Sequence, residues 1–395
     1  MELPTVEEKV AELERITLDG LATIATEARS VLDQVHRLLQ KPNPTKQAPT
    51  FSSPYIAELC KVDKTQIRHL SDKYKLPYGK KVPGSKAHEY TLEEVIHWST
   101  TIGQWPKRPD DKNGIAVAVV NYKGGVAKTS TAMALAQGMT LRGQKVLLID
   151  LDGQGTATQL CGINPEEHVE EEQTIMPFIY GDEPDLGYAV RESYWHNLSL
   201  IPASSIILAA EFALPGRAVN NPGFDFWNVL KRGLEPLRKN FDVIIFDTSP
   251  SLSHLTMNGM LAADGLVMPC PPDALDFASS VQFWGLFADL ATSFKKYDAN
   301  LAAKEFNFMT VVMTKVQPTD GHRLVKPWMK QAYGRHVNAI EIPESAAARM
   351  ASAQLKTIYD LSKAEGTTEA YRRFKEPMDK LCDEVLEKIA LGWRS

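Results

Sequence analysis

Two lysines bracket a run of small residues, Lys123-Gly124-Gly125-Val126-Ala127-Lys128-Thr129-Ser130. An apolar stretch ending in Val119-Val120 runs into it, and a helical stretch follows. Glycines let a backbone come close to phosphate oxygens, and the first N–H groups of a helix point at the bound anion. Lys128 supplies positive charge to the β- and γ-phosphates of a nucleotide, and Thr129 a hydroxyl for Mg²⁺. The loop departs from the pattern G-x-x-x-x-G-K-[ST]: Ala127 stands where the last glycine is expected. Lys123 adds a second cation at its entrance. Residues 123–130 are thereby the expected nucleotide-binding loop, for ATP or ADP with Mg²⁺.

Two further segments carry carboxylates at the ends of apolar runs. In Val146-Leu147-Leu148-Ile149-Asp150-Leu151-Asp152-Gly153-Gln154-Gly155 both aspartates are expected to face the phosphates. A carboxylate there orients an attacking water or holds the water shell of the metal. In Val243-Ile244-Ile245-Phe246-Asp247-Thr248-Ser249-Pro250 the aspartate is the expected second carboxylate on the metal side.

These groups need a scaffold that brings strand ends together. Ile115–Val120, Val146–Ile149, Val243–Phe246, Leu266–Pro269 and Phe308–Met313 read as short apolar strands, and Thr129–Arg142 as a helix stopped by Gly143. Such strands alternating with helices predict an α/β fold with a mostly parallel twisted sheet covered on both faces.

Upstream, residues 5–40 read as one helix. Val6, Val10, Leu13, Leu21, Ile24, Val31, Val35 and Leu38 recur at three- and four-residue steps, a stripe suited to a partner helix, with Gly20 weakening its middle. Lys41-Pro42-Asn43-Pro44 ends it. Tyr55–Cys60 then reads as a short helix, Lys61-Val62 as a turn, and Asp63 as the N-cap of a second helix running to Tyr74. Ile67, Leu70 and Tyr74 share one face of that helix. Lys64, Thr65, Gln66, Arg68 and His69 are the expected base- and phosphate-contacting residues of a helix-turn-helix. Lys80, Lys81 and Lys86 follow in a loop suited to a wing, and Thr91 caps the next helix. The expected division is 1–40, a dimerisation helix; 50–104, a winged helix-turn-helix; and 112–395, the nucleotide-binding domain.

Composition agrees with that division. The net charge is −5, yet residues 41–110 hold twelve Lys or Arg against seven Asp or Glu, while residues 1–40 hold four against eight. A basic segment inside an acidic chain is the pattern of a DNA-binding module attached to something else. Cys60, Cys161, Cys270 and Cys382 are scattered with no CxxC pair, which fits a reducing cytoplasm and suggests no zinc ribbon. The first residues show no secretory pattern, and no apolar run is long enough to span a bilayer.

The order Lys-Gly-Gly-x-x-Lys-Thr, Asp-x-Asp-x-Gln, hydrophobic-Asp-x-x-Pro resembles the deviant Walker A ATPases. Gln154-Gly155 and the N-terminal helix plus helix-turn-helix resemble the type Ia plasmid-partition ParA proteins, over nearly the whole chain. Gly153 replaces the frequent proline of that family. The resemblance implies an ATPase in which Lys123 reaches the nucleotide of a partner subunit, Lys128 binds the phosphates, Asp152 orients water, and Thr129 and Asp247 serve Mg²⁺. It implies an ATP-dependent homodimer, a ParB-like partner that stimulates hydrolysis, operator DNA bound with ADP, and non-specific DNA bound with ATP on the nucleoid. In that family the stretch Ile342–Ile358 caps the adenine and carries basic residues for DNA; here Arg349 and Lys356 are the candidates, with Lys326, Lys330 and Arg335 upstream.

Three other classes compete. A redox branch needs cluster-ligating cysteines presented across a dimer, and the surroundings of Cys161 and Cys270 lack the expected glycines. A MinD-like membrane switch needs a basic amphipathic tail; Leu381, Val385 and Ile389 form a stripe, but Asp379, Asp383, Glu384 and Glu387 accompany it. A plain repressor with a decayed ATPase domain would not keep Lys128, Thr129, Asp152 and Asp247.

Overall fold

A computed structural model describes residues 16–39, 46–221, 223–296, 298–361 and 368–394. The chain divides into two units, residues 1–46 and 47–395. The described part of the first is one helix, Leu18–Leu39. Thr17 Oγ1 accepts a hydrogen bond from the Gly20 N–H (3.1 Å), which fixes the start of the helix. Leu21, Ile24, Val31 and Val35 are all exposed on it. Val6, Val10 and Leu13 lie outside the described residues.

The second unit opens with a three-stranded sheet and three helices. The strands are β1 (Phe51–Ser52), β2 (Lys80–Lys81) and β3 (His88–Tyr90), in the antiparallel order β1-β3-β2. Helix Ser53–Leu59 follows β1. Asp63 starts the next one with a capping box: its side chain takes the Thr65 N–H (2.8 Å), and Gln66 Oε1 takes the Asp63 N–H (3.2 Å). The first turn, Lys64–Gln66, is a 3₁₀ turn, and Ile67–Tyr74 continues as an α-helix. Ile67 is buried and Leu70 half-buried, but Tyr74 is exposed, so only the first two of the expected apolar face pack inward. Thr91 and Glu94 form a second capping box at helix Leu92–Ile102.

The rest is an eight-stranded sheet in the order β11-β10-β9-β4-β8-β5-β7-β6. Its strands are β4 (Ile115–Val119), β5 (Val146–Leu151), β6 (Arg191–Glu192), β7 (Leu198–Ile201), β8 (Val243–Thr248), β9 (Gly265–Cys270), β10 (Phe308–Val316) and β11 (Val337–Pro343). All neighbours are parallel except β6 with β7. The five expected strands are all present; β6, β7 and β11 are additional. β4 lies between β8 and β9, and the chain moves first to one side of it and then to the other. That reversal opens a crevice at the strand carboxyl ends, where ligands of parallel sheets bind.

Alternate residues of β4 serve two cores. Val117 and Val119 join a core with the helix Lys128–Leu141 and with Leu381, Val385 and Ile389 of the C-terminal helix Thr368–Arg394. Ile56, Ile67, Val95 and Trp98 from the first three helices belong to the same core. Ala116 and Ala118, with Val120 just after the strand, face the other core, with Leu255, Met260 and Phe283. Among the described residues no helix is long and apolar enough to cross a membrane.

Candidate functional site

The loop leaving β4 is held from both sides before any ligand is considered. Asn121 Oδ1 accepts the Lys123 N–H (3.0 Å), while its Nδ2 donates to the Pro269 carbonyl (2.8 Å). Thr314 Oγ1 donates to the Val126 carbonyl (3.0 Å). Gly125 has φ 74°, open to glycine at little cost. Ala127 has φ 77° as well, a left-handed conformation that a side chain resists. The fold needs that conformation at the helix N-cap, and alanine adopts it under strain.

Behind this loop lies a cavity of about 490 Å³. Gly124, Gly125, Ala127, Lys128, Thr129, Ser130 and Asp152 form its phosphate end. Its other wall is more apolar, with Ile342, Pro343, Ala348, Phe374 and Met378, and Arg349 stands at the rim, paired with Glu344 at 2.6 Å. Phe374 and Met378 carry no sequence signal for this role, because the apolar stripe of their helix continues through Leu381, Val385 and Ile389.

Lys128 is buried at 7% exposure, and its Nζ donates to the Lys123 carbonyl (2.9 Å). Burial lowers its pKa, and the Asp247 and Asp152 carboxylates oppose that shift. Asp247 is fully buried with neither oxygen hydrogen-bonded. Burial first, then the neighbouring Asp150, push its carboxyl well above the usual range; the Thr129 hydroxyl and Lys128 pull the other way. A buried carboxylate without hydrogen-bond partners beside a threonine hydroxyl fits a hydrated Mg²⁺, whose charge would relieve that cost.

The two aspartates of β5 separate in role. Asp150 does not face the phosphates. It is fully buried, and its oxygens accept the Asp152 N–H (3.1 Å), the Thr158 N–H (2.9 Å) and the Thr158 hydroxyl (2.8 Å). Burial raises its pKa to about 6. It shapes the turn that presents Asp152, whose Oδ1 takes the Gln154 N–H (3.1 Å) and which lines the cavity.

Lys123 turns away from this cavity. Its Nζ lies 2.8 Å from Asp276 Oδ1, and its side chain lines a separate depression of about 370 Å³ with Asp273 and Asp276. Of the basic candidates elsewhere, Lys64, Arg68 and His69 are exposed, while Thr65 also donates its hydroxyl to Asp63 (2.6 Å). Lys356 is half-buried and Lys326 is paired with Glu341 at 2.6 Å; Lys330 and Arg335 are exposed.

Residues 114–297 match the family described as an AAA domain. Protein SopA of Escherichia coli (strain K12) is 29% identical over 308 residues, 76% of this chain and 77% of that protein. The chain is similar to the ParA-type partition proteins. A solved structure described as a partition protein superposes on this chain with a TM-score of 0.62 at 19% identity, covering 93% of this chain and 98% of that one. Cobyrinic acid a,c-diamide synthase from Mycobacterium smegmatis, solved with bound ADP and magnesium, is 28% identical with a TM-score of 0.50, covering 67% and 93%. The α/β fold is thus shared by this chain and these neighbours.

Proposed function

We propose that this chain is a DNA-segregation ATPase, serving plasmid or chromosome partition, that hydrolyses ATP to ADP and phosphate with Mg²⁺. The observation that carries the reading is the convergence of Lys128, Thr129 and Asp152 on one cavity, with Asp247 buried beside them. Thr129 and Asp247 would hold Mg²⁺ and its waters, and the ion supplies charge neutralisation at the phosphates. Lys128 binds the β- and γ-phosphates. Asp152 orients the attacking water, and Asp150 keeps it in place. Phosphoryl transfer depends mainly on such positioning and on electrostatics.

The ATP-bound form pairs with a second copy and coats DNA non-specifically on the nucleoid, and Lys123 acts across that interface. A ParB-like partner stimulates hydrolysis and release. The ADP form represses its own operon through the segment 50–104. The two short helices and the antiparallel hairpin with Lys80 and Lys81 support that assignment, as do the exposed Lys64, Arg68 and His69. The exposed stripe Leu21, Ile24, Val31 and Val35 supports self-association through the N-terminal helix. Arg349 and Lys356 are proposed phosphate contacts, although Arg349 also borders the nucleotide cavity. A MinD-like membrane role needs a free apolar tail, whereas Leu381, Val385 and Ile389 are fully buried.

The deciding measurement is binding to the chain's own upstream DNA and to random DNA, each with ADP, ATP and no nucleotide. The expected result is random DNA bound with ATP and upstream DNA with ADP. Binding that ignores the nucleotide would defeat the reading.

A further inference from the structure

Lys123 and Lys128 stand at opposite ends of one short loop, and the structure treats them differently. Lys128 faces the nucleotide cavity. Lys123 does not line that cavity; its ammonium is in the neighbouring depression, 2.8 Å from Asp276. Gly124 and Gly125 border both spaces, so the backbone of the loop is the partition between them. Asp276 lies in the first turn of helix Ala274–Phe294 and is itself only 8% exposed, whereas the Lys123 side chain keeps 39% exposure. The carboxylate is thus the fixed member of the pair and the lysine the movable one.

We propose that Asp276 is a positioning residue for Lys123: it holds the ammonium out of its own phosphate site and keeps it available to a facing subunit. The proposal rests on the ATP-dependent dimer described above. Without Asp276, the Lys123 ammonium loses its 2.8 Å partner, and its own triphosphate on the other side of two glycines competes for it with Asp273. A lysine drawn there tightens nucleotide binding in the ground state. It is then absent from the neighbouring site, where charge develops during transfer. Interactions made equally in ground and transition states do not speed the chemical step.

The test is a double-mutant cycle of Asp276→Asn and Lys123→Gln on the full chain. It reads ATPγS affinity with magnesium by calorimetry, and kcat and KM for ATP. Asp276→Asn is expected to tighten ATPγS binding on the order of two- to fivefold, the scale of a half-exposed ion pair, while lowering kcat. In the Lys123→Gln background the same substitution should change neither quantity, and Asp276→Glu should restore most of the wild-type kcat. An Asp276→Asn effect of equal size in both backgrounds would show a plain charge or folding role and overturn the proposal, as would no effect in either. If Asp276→Asn does not fold, Asp276→Ser carries the same cycle. A wild-type chain that fails to bind ATPγS would instead defeat the ATPase reading itself.

Discussion

The Arg142 guanidinium lies 5.0 Å from the centre of the Trp105 ring, and Lys61 Nζ reaches the same ring at 4.5 Å. Arg142 is the C-cap of the helix that begins at the phosphate loop. Lys61 sits in the turn between the two short N-terminal helices, with φ 55°. One indole therefore joins the far end of the phosphate-loop helix to the turn that aims the helix bearing Arg68. Arg142 is further held by the carbonyls of Gly138 (2.7 Å) and Asp379 (2.9 Å) and by the Asp383 carboxylate (2.6 Å).

Arg142→Met should destabilise the chain by about 2–3 kcal/mol, somewhat below a fully buried pair because Asp383 keeps 32% side-chain exposure. Urea denaturation checks this, and an unchanged midpoint would contradict it. The same variant should weaken the dependence of upstream-DNA binding on ADP, since the joint at Trp105 is lost.

Asp152→Ala should keep ATP binding and stall hydrolysis. The side chain lines the phosphate end of the cavity but makes no bond to Lys128 or Thr129 among the described contacts. Positioning a nucleophile accounts for a large share of such catalysis. Wild-type turnover in the variant, measured with the partner present, would remove the assignment.

Asp247→Asn should stabilise the nucleotide-free chain at neutral pH and abolish magnesium-dependent ATP binding. The folded pKa values of Asp247 and Asp150 are raised, that of Asp150 to about 6. Above the unfolded value the unfolded chain has released protons that the folded one still holds, so stability falls as pH rises. That fall extends from about pH 4 through about pH 6 for Asp150, and upward for Asp247. Stability curves of wild type and variant should therefore diverge with increasing pH; parallel curves would rule the account out.

Arg68→Ala should abolish recognition of the upstream DNA and spare ATP hydrolysis. Arg68 is exposed and belongs to no ion pair among the described residues. Loss of a bidentate base contact costs about 1–3 kcal/mol, felt twice in a dimer. Equal affinity at fixed salt would count against the contact.

Ala127→Gly should raise stability by roughly 0.5–1 kcal/mol, because a left-handed conformation strains alanine and not glycine. The observed φ of 77° is the reason. A lowered melting temperature would show that the strain is absent.

The sequence by itself determined the sheet strands next to the site, the phosphate loop, and the capping residues Asp63 and Thr91. Each is written in local chemistry: an all-apolar run, a glycine pair before a helix, a side chain that satisfies its own backbone. β6, β7 and β11 were not legible. β6 is two charged residues long, β11 breaks its apolar run with Asn338 and Glu341, and β7 is only four residues long, so their pairing partners decide them.

The roles of individual charges were decided by the tertiary structure alone. Asp150 and Asp152 are two residues apart on one strand end, yet burial and the Thr158 hydroxyl claim the first while the second keeps the cavity. Phe374 and Met378 reach the same cavity from a helix more than two hundred residues downstream of the loop. Lys123 is in sequence only a second cation beside Lys128, and the approach of helix Ala274–Phe294 is what gives it Asp276 as a partner. Local pattern fixes what a side chain can do. Which partner it meets depends on segments far away in the chain, brought together by the burial of a common core.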